Sequence, residues 1–319
     1  MGADGPALLR ERQVLLGIAP QGRISAGGTC RLVRASDRWF AVNLARPDDR
    51  DAVPAWLGTE VAGPVWDAVE AAAGRAGAVE WVERAQLLGI PAAVASAPGE
   101  YTGPAVTVSG DGLRAPARSV RRSGGLLVVD LAALWAGPLC ARLLGAAIDG
   151  ARVVKVEDLR RPDGARQGPP AFWRSLNAGK EERHLDLGAA DGRAELADLL
   201  RTADVVVSAA RPRAFAGLGF DPGAVAARGG VWVSITGYGL DGPWSDRVAF
   251  GDDAAVAGGV AVAAGGSIEP EFVGDAVADP LAGLAGAVVA RRLVAAGRGG
   301  VVDVAMAGVV ARALRSSTD

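Results

Sequence analysis

One histidine and two cysteines in 319 residues leave very little for metal or thiol chemistry. His184, Cys30 and Cys140 cannot assemble a zinc site of the usual ligand types, so no metal is expected. The cysteines are too far apart in sequence to read as a disulfide framework, which fits a reducing, cytoplasmic compartment. Charge of one sign is also missing. Lys+Arg 34 against Asp+Glu 36 gives a net charge of -2, without the basic excess of a nucleic-acid binder. The N-terminal MGADGPALLRERQ has no apolar core of a leader peptide. The longest small-apolar stretch, 254–266, is too short and glycine-rich to span a bilayer, so a soluble protein is expected. Aromatics are 5% of the chain, so the core must be built from Ala, Val and Leu. Such side chains suit helices packed on a parallel sheet.

What is present divides near residues 97–125. The stretch APGEYTGPAVTVSGDGLRAPARSVRRSGG has no hydrophobic period, and we take 105–125 as a linker with a short strand at 105–108. Arg121 and Arg122 there serve solubility. Before it, residues 1–104 read as a small α+β domain. Two strands within 29–46 flank a turn at Ala35–Ser36–Asp37, helices follow at 61–75 and 78–89, and 90–94 is extended. After it, residues 126–319 alternate short apolar strands with helices. Strands are expected at 126–131, 151–157, 203–209 and 231–236, and helices at 137–149, 191–202 and 222–228. A helix over 280–296, a GRGG turn and the strand VVDVAM close the chain. The fold class is therefore α/β: a Rossmann-like parallel sheet with flanking helices and right-handed crossovers, plus the smaller α+β domain.

A dinucleotide fingerprint would place G-x-G-x-x-G directly after the first strand, but only Gly137 lies near that turn, so a nicotinamide or flavin enzyme is excluded. His184 sits in the probable strand ERHLDLG and reads as structural. Arg160, Arg161 and Arg166 follow the second strand of the sheet, where ligands of open α/β sheets bind. They suit a phosphate and equally a solvated loop. Asp279 precedes Pro280 and a long apolar stretch, which predicts an N-cap with proline at the first helical position. A cap alone accounts for it. A carboxylate at a helix N-terminus is also ionised at neutral pH, a poor general base but a usable nucleophile towards an activated acyl carbon.

Several longer stretches carry a resemblance. VVDLAALWAGPLCARLLG, GARVVKVEDLRRPDGAR, LNAGKEERHLDL, ADVVVSAARPRAFAGLGF, SITGYGLDGPW and ADPLAG…RRLVAAGRGGVVDVAM resemble, in order, the class III CoA-transferases. That group includes formyl-CoA transferase, carnitine CoA-transferase and the 2-methylacyl-CoA racemases. GGTCRLVRASDRWFAVNLARPDD and EWVERAQLLGIPAAVAS resemble the family's small domain, which normally follows the core, so the chain looks circularly permuted. The resemblance implies a homodimer of interlocked chains. It implies no permanently bound cofactor, a coenzyme A thioester as substrate, and a carboxylic acid as acceptor.

By the same resemblance Asp279, opening a D-x-x-x-G segment with Gly283, is the catalytic residue, and Asp275 ranks second. The family's CoA-binding positions fall on Trp135, Ala136, Asp158, Leu185, Asp186, Leu187 and Arg211. Arg160, Arg161 and Arg213 could supply arginines that some members carry at Asp158 and Gly217. Gly27 and Gly28 match a glycine loop over the nucleophile. Racemases add a histidine where this chain has Phe250, so transfer is favoured over racemisation, with Asp252 or Asp253 as the replacements a racemase would need. A non-catalytic CoA-ester binding protein is the third reading.

Overall fold

A computed structural model describes residues 5–110, 125–211, 217, 219–266 and 268–316. Most of the expected linker and Arg213 fall outside them. In chain order the elements are α1 (Gly5–Leu16), β1 (Cys30–Arg34), β2 (Trp39–Asn43), α2 (Pro47–Asp51), α3 (Val53–Leu57), α4 (Val65–Ala73), α5 (Ala78–Leu87), β3 (Ala92–Val94) and β4 (Val106–Ser109). There follow β5 (Leu127–Asp130), α6 (Ala136–Ala147), β6 (Arg152–Asp158), α7 (Pro170–Asn177), β7 (Glu181–Leu185), α8 (Ala190–Thr202), β8 (Val205–Ser208), α9 (Pro222–Ala227) and β9 (Val231–Thr236). The last are α10 (Gly251–Ala257), α11 (Val260–Gly265), α12 (Ala278–Ala295), β10 (Gly300–Ala305) and α13 (Met306–Ser316).

The chain folds into two compact units. One takes its described residues from 106–246 and 280–305. The other takes them from 4–105, 247–279 and 306–319. The second unit thus draws on two segments beyond residue 126 that the sequence pattern had grouped with the sheet.

The first unit is built on a seven-stranded sheet of order β4-β10-β9-β8-β5-β6-β7. All neighbours pair in parallel except β4, which runs antiparallel to β10. Every residue of β8 and β9 is buried, as expected of valine-rich strands covered on both faces. Val129, Val154, Val206 and Trp232 meet Leu196 and Leu200 of α8 in one core. Each such side chain contributes about 1.5–3 kcal/mol on burial. α12 passes close to α6 because position 283 is glycine. A Cβ there would stand 2.6 Å from the Ala136 carbonyl oxygen.

The second unit is built on the antiparallel sheet β1-β2-β3. β2 is buried along its whole length, and its side chains sort by the two-residue period of a strand. Phe40 and Val42 join Trp56 and Trp81 on one face. Trp39 and Ala41 join Val256, Ala261 and Phe272 on the other. That second face explains why residues 247–279 fold with the first hundred: without α10 and α11, Trp39, Ala41, Cys30 and Leu32 would be left uncovered.

Candidate active site

Asp279 lies in the first turn of α12, which begins at Ala278 rather than at Pro280. It is therefore inside the helix and not its N-cap, a correction that leaves the carboxylate where the helix dipole favours an anion. Pro280 is tolerated because the first turn needs no internal N–H donor. The approach to the helix is tight. Asp279 donates its backbone N–H to the Ala276 carbonyl at 2.8 Å, and Ala276 itself has φ +44, a left-handed conformation unusual for a residue with a Cβ. The half-buried Asp279 carboxylate rests on Gly251, the first residue of α10. A Cβ at position 251 would overlap Asp279 Oδ2 and stand 2.5 Å from the Ala276 carbonyl oxygen.

Three more carboxylates lie in or beside this turn, all of them buried. Asp252 Oδ1 accepts from the Ala276 N–H at 3.0 Å, and its carboxylate also takes a hydrogen bond from the Ser25 hydroxyl. Asp275 pairs with Arg12 of α1 at 2.6 Å. Asp253 Oδ1 accepts from the Phe250 N–H at 3.0 Å, and Asn43 bonds the same carboxylate. Burial raises all three carboxyl pKa values; for Asp252 burial and then the charge of Asp275 push it up to about 6. Cys30, beside Asp252 and Asp253, has its thiol pushed well up by burial and by their charge, so it is no nucleophile.

The raised Asp252 value carries a stability signature. The folded state keeps a proton on Asp252 that the unfolded chain releases near pH 4, so stability falls as pH rises from about 4 through about 6. A rise of that size corresponds to about 3 kcal/mol. Asp252→Asn keeps the acceptor for Ala276 and removes the charge. We expect it to be more stable than the parent by about 1–3 kcal/mol at pH 8 and to match it near pH 4. Thermal unfolding at the two pH values checks this; an equal difference at both would exclude Asp252 as the titrating group.

In the sheet unit, the loop after β5 is braced from two sides. Lys180 Nζ donates to Asp130 Oδ2 at 2.8 Å and to the Pro138 carbonyl at 2.9 Å. Lys155 Nζ donates to the Ala132 carbonyl at 2.6 Å and pairs with Asp163 at 3.0 Å. Asp163 Oδ1 accepts from the Leu134 N–H at 2.9 Å, and Leu134 has φ +68. Burial alone would raise the Glu157 carboxyl, but the Arg166 fork, with the Asp163 N–H, holds it below its usual value. The left-handed Leu134 is thus fixed by a buried ion pair at the carboxyl end of β5, the side of an open α/β sheet on which ligands bind in general.

The CoA positions inferred from sequence separate into two groups. Asp158, Arg160, Leu185, Asp186 and Leu187 come together at the ends of β6 and β7. Arg160 pairs with Asp186 at 2.9 Å, and the Leu187 N–H donates to Asp158 Oδ1 at 3.4 Å. Arg161 is exposed, and Arg211 donates to the Asp246 carbonyl at 3.4 Å. Ala136 opens α6, but the Trp135 side chain is buried edge-on against Phe172, with ring centroids 5.1 Å apart. Arg166 is engaged by Glu157 and Glu182 and lies 4.0 Å over the Trp173 ring. A phosphate would have to displace two carboxylates from it. In the second unit, Gly27 lies against the Arg12 guanidinium and Gly28 has φ +75.

Comparison with known proteins settles the family. The profile described as CoA-transferase family III matches residues 124–318. The chain belongs to CoA-transferase family III. Among the curated members similar to it are a succinyl-CoA–D-citramalate CoA-transferase of Chloroflexus aurantiacus, 30% identical over 191 residues, and the beta subunit of a succinyl-CoA–L-malate CoA-transferase of the same organism, 32% identical over 197. These alignments cover 56% and 57% of this chain and 47% and 48% of the relatives, so the chain spans about half the length of the family members it matches. Of solved structures, a CAIB/BAIF family protein from Brucella suis is 27% identical with a TM-score of 0.54, covering 61% of this chain and 55% of that one. Rv3272 from Mycobacterium tuberculosis is 28% identical with a TM-score of 0.53, at the same coverages.

Within this CoA-transferase family III chain, sequence reasoning missed Gly251, Arg12, Ser25 and Asp163. Asp163 had a local signal, the Asp-Gly after Pro162 in RRPDGAR. The others act through tertiary proximity and have none. The two carboxylates offered as alternatives to the racemase histidine are both committed. Asp253 is sealed in the interior, and Asp252 holds the Ala276 N–H.

Proposed function

We propose that this protein is an acyl-CoA:carboxylate CoA-transferase with Asp279 as its nucleophile. The observation that carries the reading is the half-buried Asp279 carboxylate, set in the first turn of α12 against a glycine, at the start of a D-x-x-x-G segment. In the proposed sequence an Asp279 oxygen attacks the thioester carbon, the C–S bond breaks, and CoA leaves as thiolate with a mixed anhydride left on Asp279. The thiolate then attacks the aspartyl carbonyl, releasing the donor carboxylate and leaving an aspartyl-CoA thioester. The acceptor carboxylate attacks that carbonyl and expels the thiolate again. The thiolate takes the new acyl group, and Asp279 is regenerated. No proton need be moved at any step.

Arg160 and Arg161, with the Asp158 and Leu185–Leu187 backbone, are the proposed contacts for the CoA nucleotide. Ala136 and Trp135 would contribute through their backbone at the α6 N-terminus, a setting that favours phosphate. Residues 1–104 are proposed to stand in for the family's small domain in permuted order, and the active form to be a homodimer in the cytoplasm. Both Chloroflexus relatives are named for succinyl-CoA, so succinyl-CoA with a second dicarboxylate is the first pair to try.

The test is direct. The protein is incubated with succinyl-CoA and candidate acceptors, and new acyl-CoA is followed by mass spectrometry. A hydroxylamine quench should convert the intermediate to a hydroxamate on the peptide containing Asp279. New acyl-CoA without that adduct would refute Asp279 as the covalent residue. Binding of acyl-CoA with no turnover would favour a binding protein.

A further inference from the structure

A second cluster of charged side chains lies in the unit built on β1-β2-β3, along the outer edge of β1. Gln21, Arg23 and Ile24 face Arg31 to Arg34, Trp39 and Glu70 around a cavity of about 340 Å³. The backbone there is tied down: Ile24 bridges to Arg31, and the Leu32 N–H donates to the Arg23 carbonyl at 2.9 Å. None of these lining residues belongs to the Asp279 turn.

The charge of the cavity is unbalanced. Three guanidiniums line it against one carboxylate, Glu70, which is 3.3 Å from Arg31. Arg23 and Arg34 have no carboxylate within ion-pair distance among the described residues. They are held instead by an aromatic surface, with guanidinium carbons 5.3 and 6.0 Å from the Trp39 ring centroid. Arg31 is laid over Trp66 at 4.6 Å in the same way, and its Nε is a buried donor with no acceptor. Stacking orients a guanidinium without satisfying its N–H fork. Such forks select oxyanions in bidentate fashion.

We infer that this cavity is a binding site for a multiply charged oxyanion, either a phosphoryl group or a polycarboxylate. The inference stands apart from the CoA-transferase reading, because it concerns different residues and is read by binding. The wall at residues 21–24 runs straight into Ser25, whose hydroxyl bonds Asp252 behind the Asp279 turn, so an occupant would press on a segment wired to that turn.

Calorimetric titration of the intact chain with inorganic pyrophosphate and, separately, with citrate tests the site at constant ionic strength. We expect one-to-one saturable binding that weakens at least tenfold in Arg23→Ala/Arg34→Ala, whose exposed side chains can be removed with little change in melting temperature. Arg201→Ala, an exposed arginine of the other unit, should leave it unchanged. Saturation by pyrophosphate alone assigns a phosphoryl ligand, and by citrate alone a polycarboxylate. No saturation with either, undiminished binding in the double variant, or an equal loss in Arg201→Ala overturns the inference.

Discussion

Asp279→Asn should lower kcat/KM for CoA transfer on the order of 10⁴-fold or more, as loss of a covalent nucleophile does elsewhere. The amide has nearly the carboxylate's shape, so the Gly251 contact and the first turn of α12 should survive. The charge at the helix N-terminus is lost, which costs on the order of 0.3–1 kcal/mol. The variant should therefore melt within a few degrees of the parent and still bind acyl-CoA, with the loss confined to chemistry. Asp279→Ala should behave alike and guards against slow deamidation of the asparagine. Affinity measured by titration and transfer measured by mass spectrometry separate the two effects. Transfer within tenfold of the parent in the alanine variant would end the mechanism; loss of acyl-CoA binding together with transfer would instead make Asp279 a binding residue.

Gly251→Ala should be nearly as damaging to turnover through geometry alone. Its methyl group would overlap Asp279 Oδ2 and crowd the Ala276 carbonyl, and both cannot yield without breaking the turn. Overpacking of this kind costs about 1–3 kcal/mol of stability. A displacement of the nucleophile by about 1 Å can cost on the order of 10²-fold in rate. We expect kcat to fall by about that factor while the KM for acyl-CoA changes little, since the substrate contacts proposed above are elsewhere in the chain. Steady-state kinetics of the soluble variant decide it. An unchanged kcat would mean that the carboxylate does not work from the position it holds in this structure.

The strands were the legible part of the fold. β5, β6, β8 and β9 announce themselves as short valine-rich runs, and β9 matches its expected limits of 231–236. α1, α2, α3, α7, α10, α11 and α13 were not anticipated: all but α1 and α13 are eight residues or shorter, too short for a 3.6-residue apolar period to stand out. The division into units was harder still. That residues 247–279 cover one face of β2 depends on contacts more than two hundred residues apart, such as Trp39 Nε1 to the Ile268 carbonyl at 3.0 Å. The site shows the same split. Asp279 is visible because Asp-Pro ahead of an apolar helix is a local pattern. Gly251, Asp252 and Arg12 become meaningful only when the chain has brought them to the same turn.

The close approach at Gly283 gives the D-x-x-x-G spacing a mechanical meaning. Four residues make just over one turn, so Asp279 and the packing point lie on one face of α12. Gly283 fits beneath the Ala136 carbonyl only because it lacks a side chain, so its own face of the helix packs on α6, and Asp279 stands one turn upstream. Inserting one residue between them would swing Asp279 by about 100°.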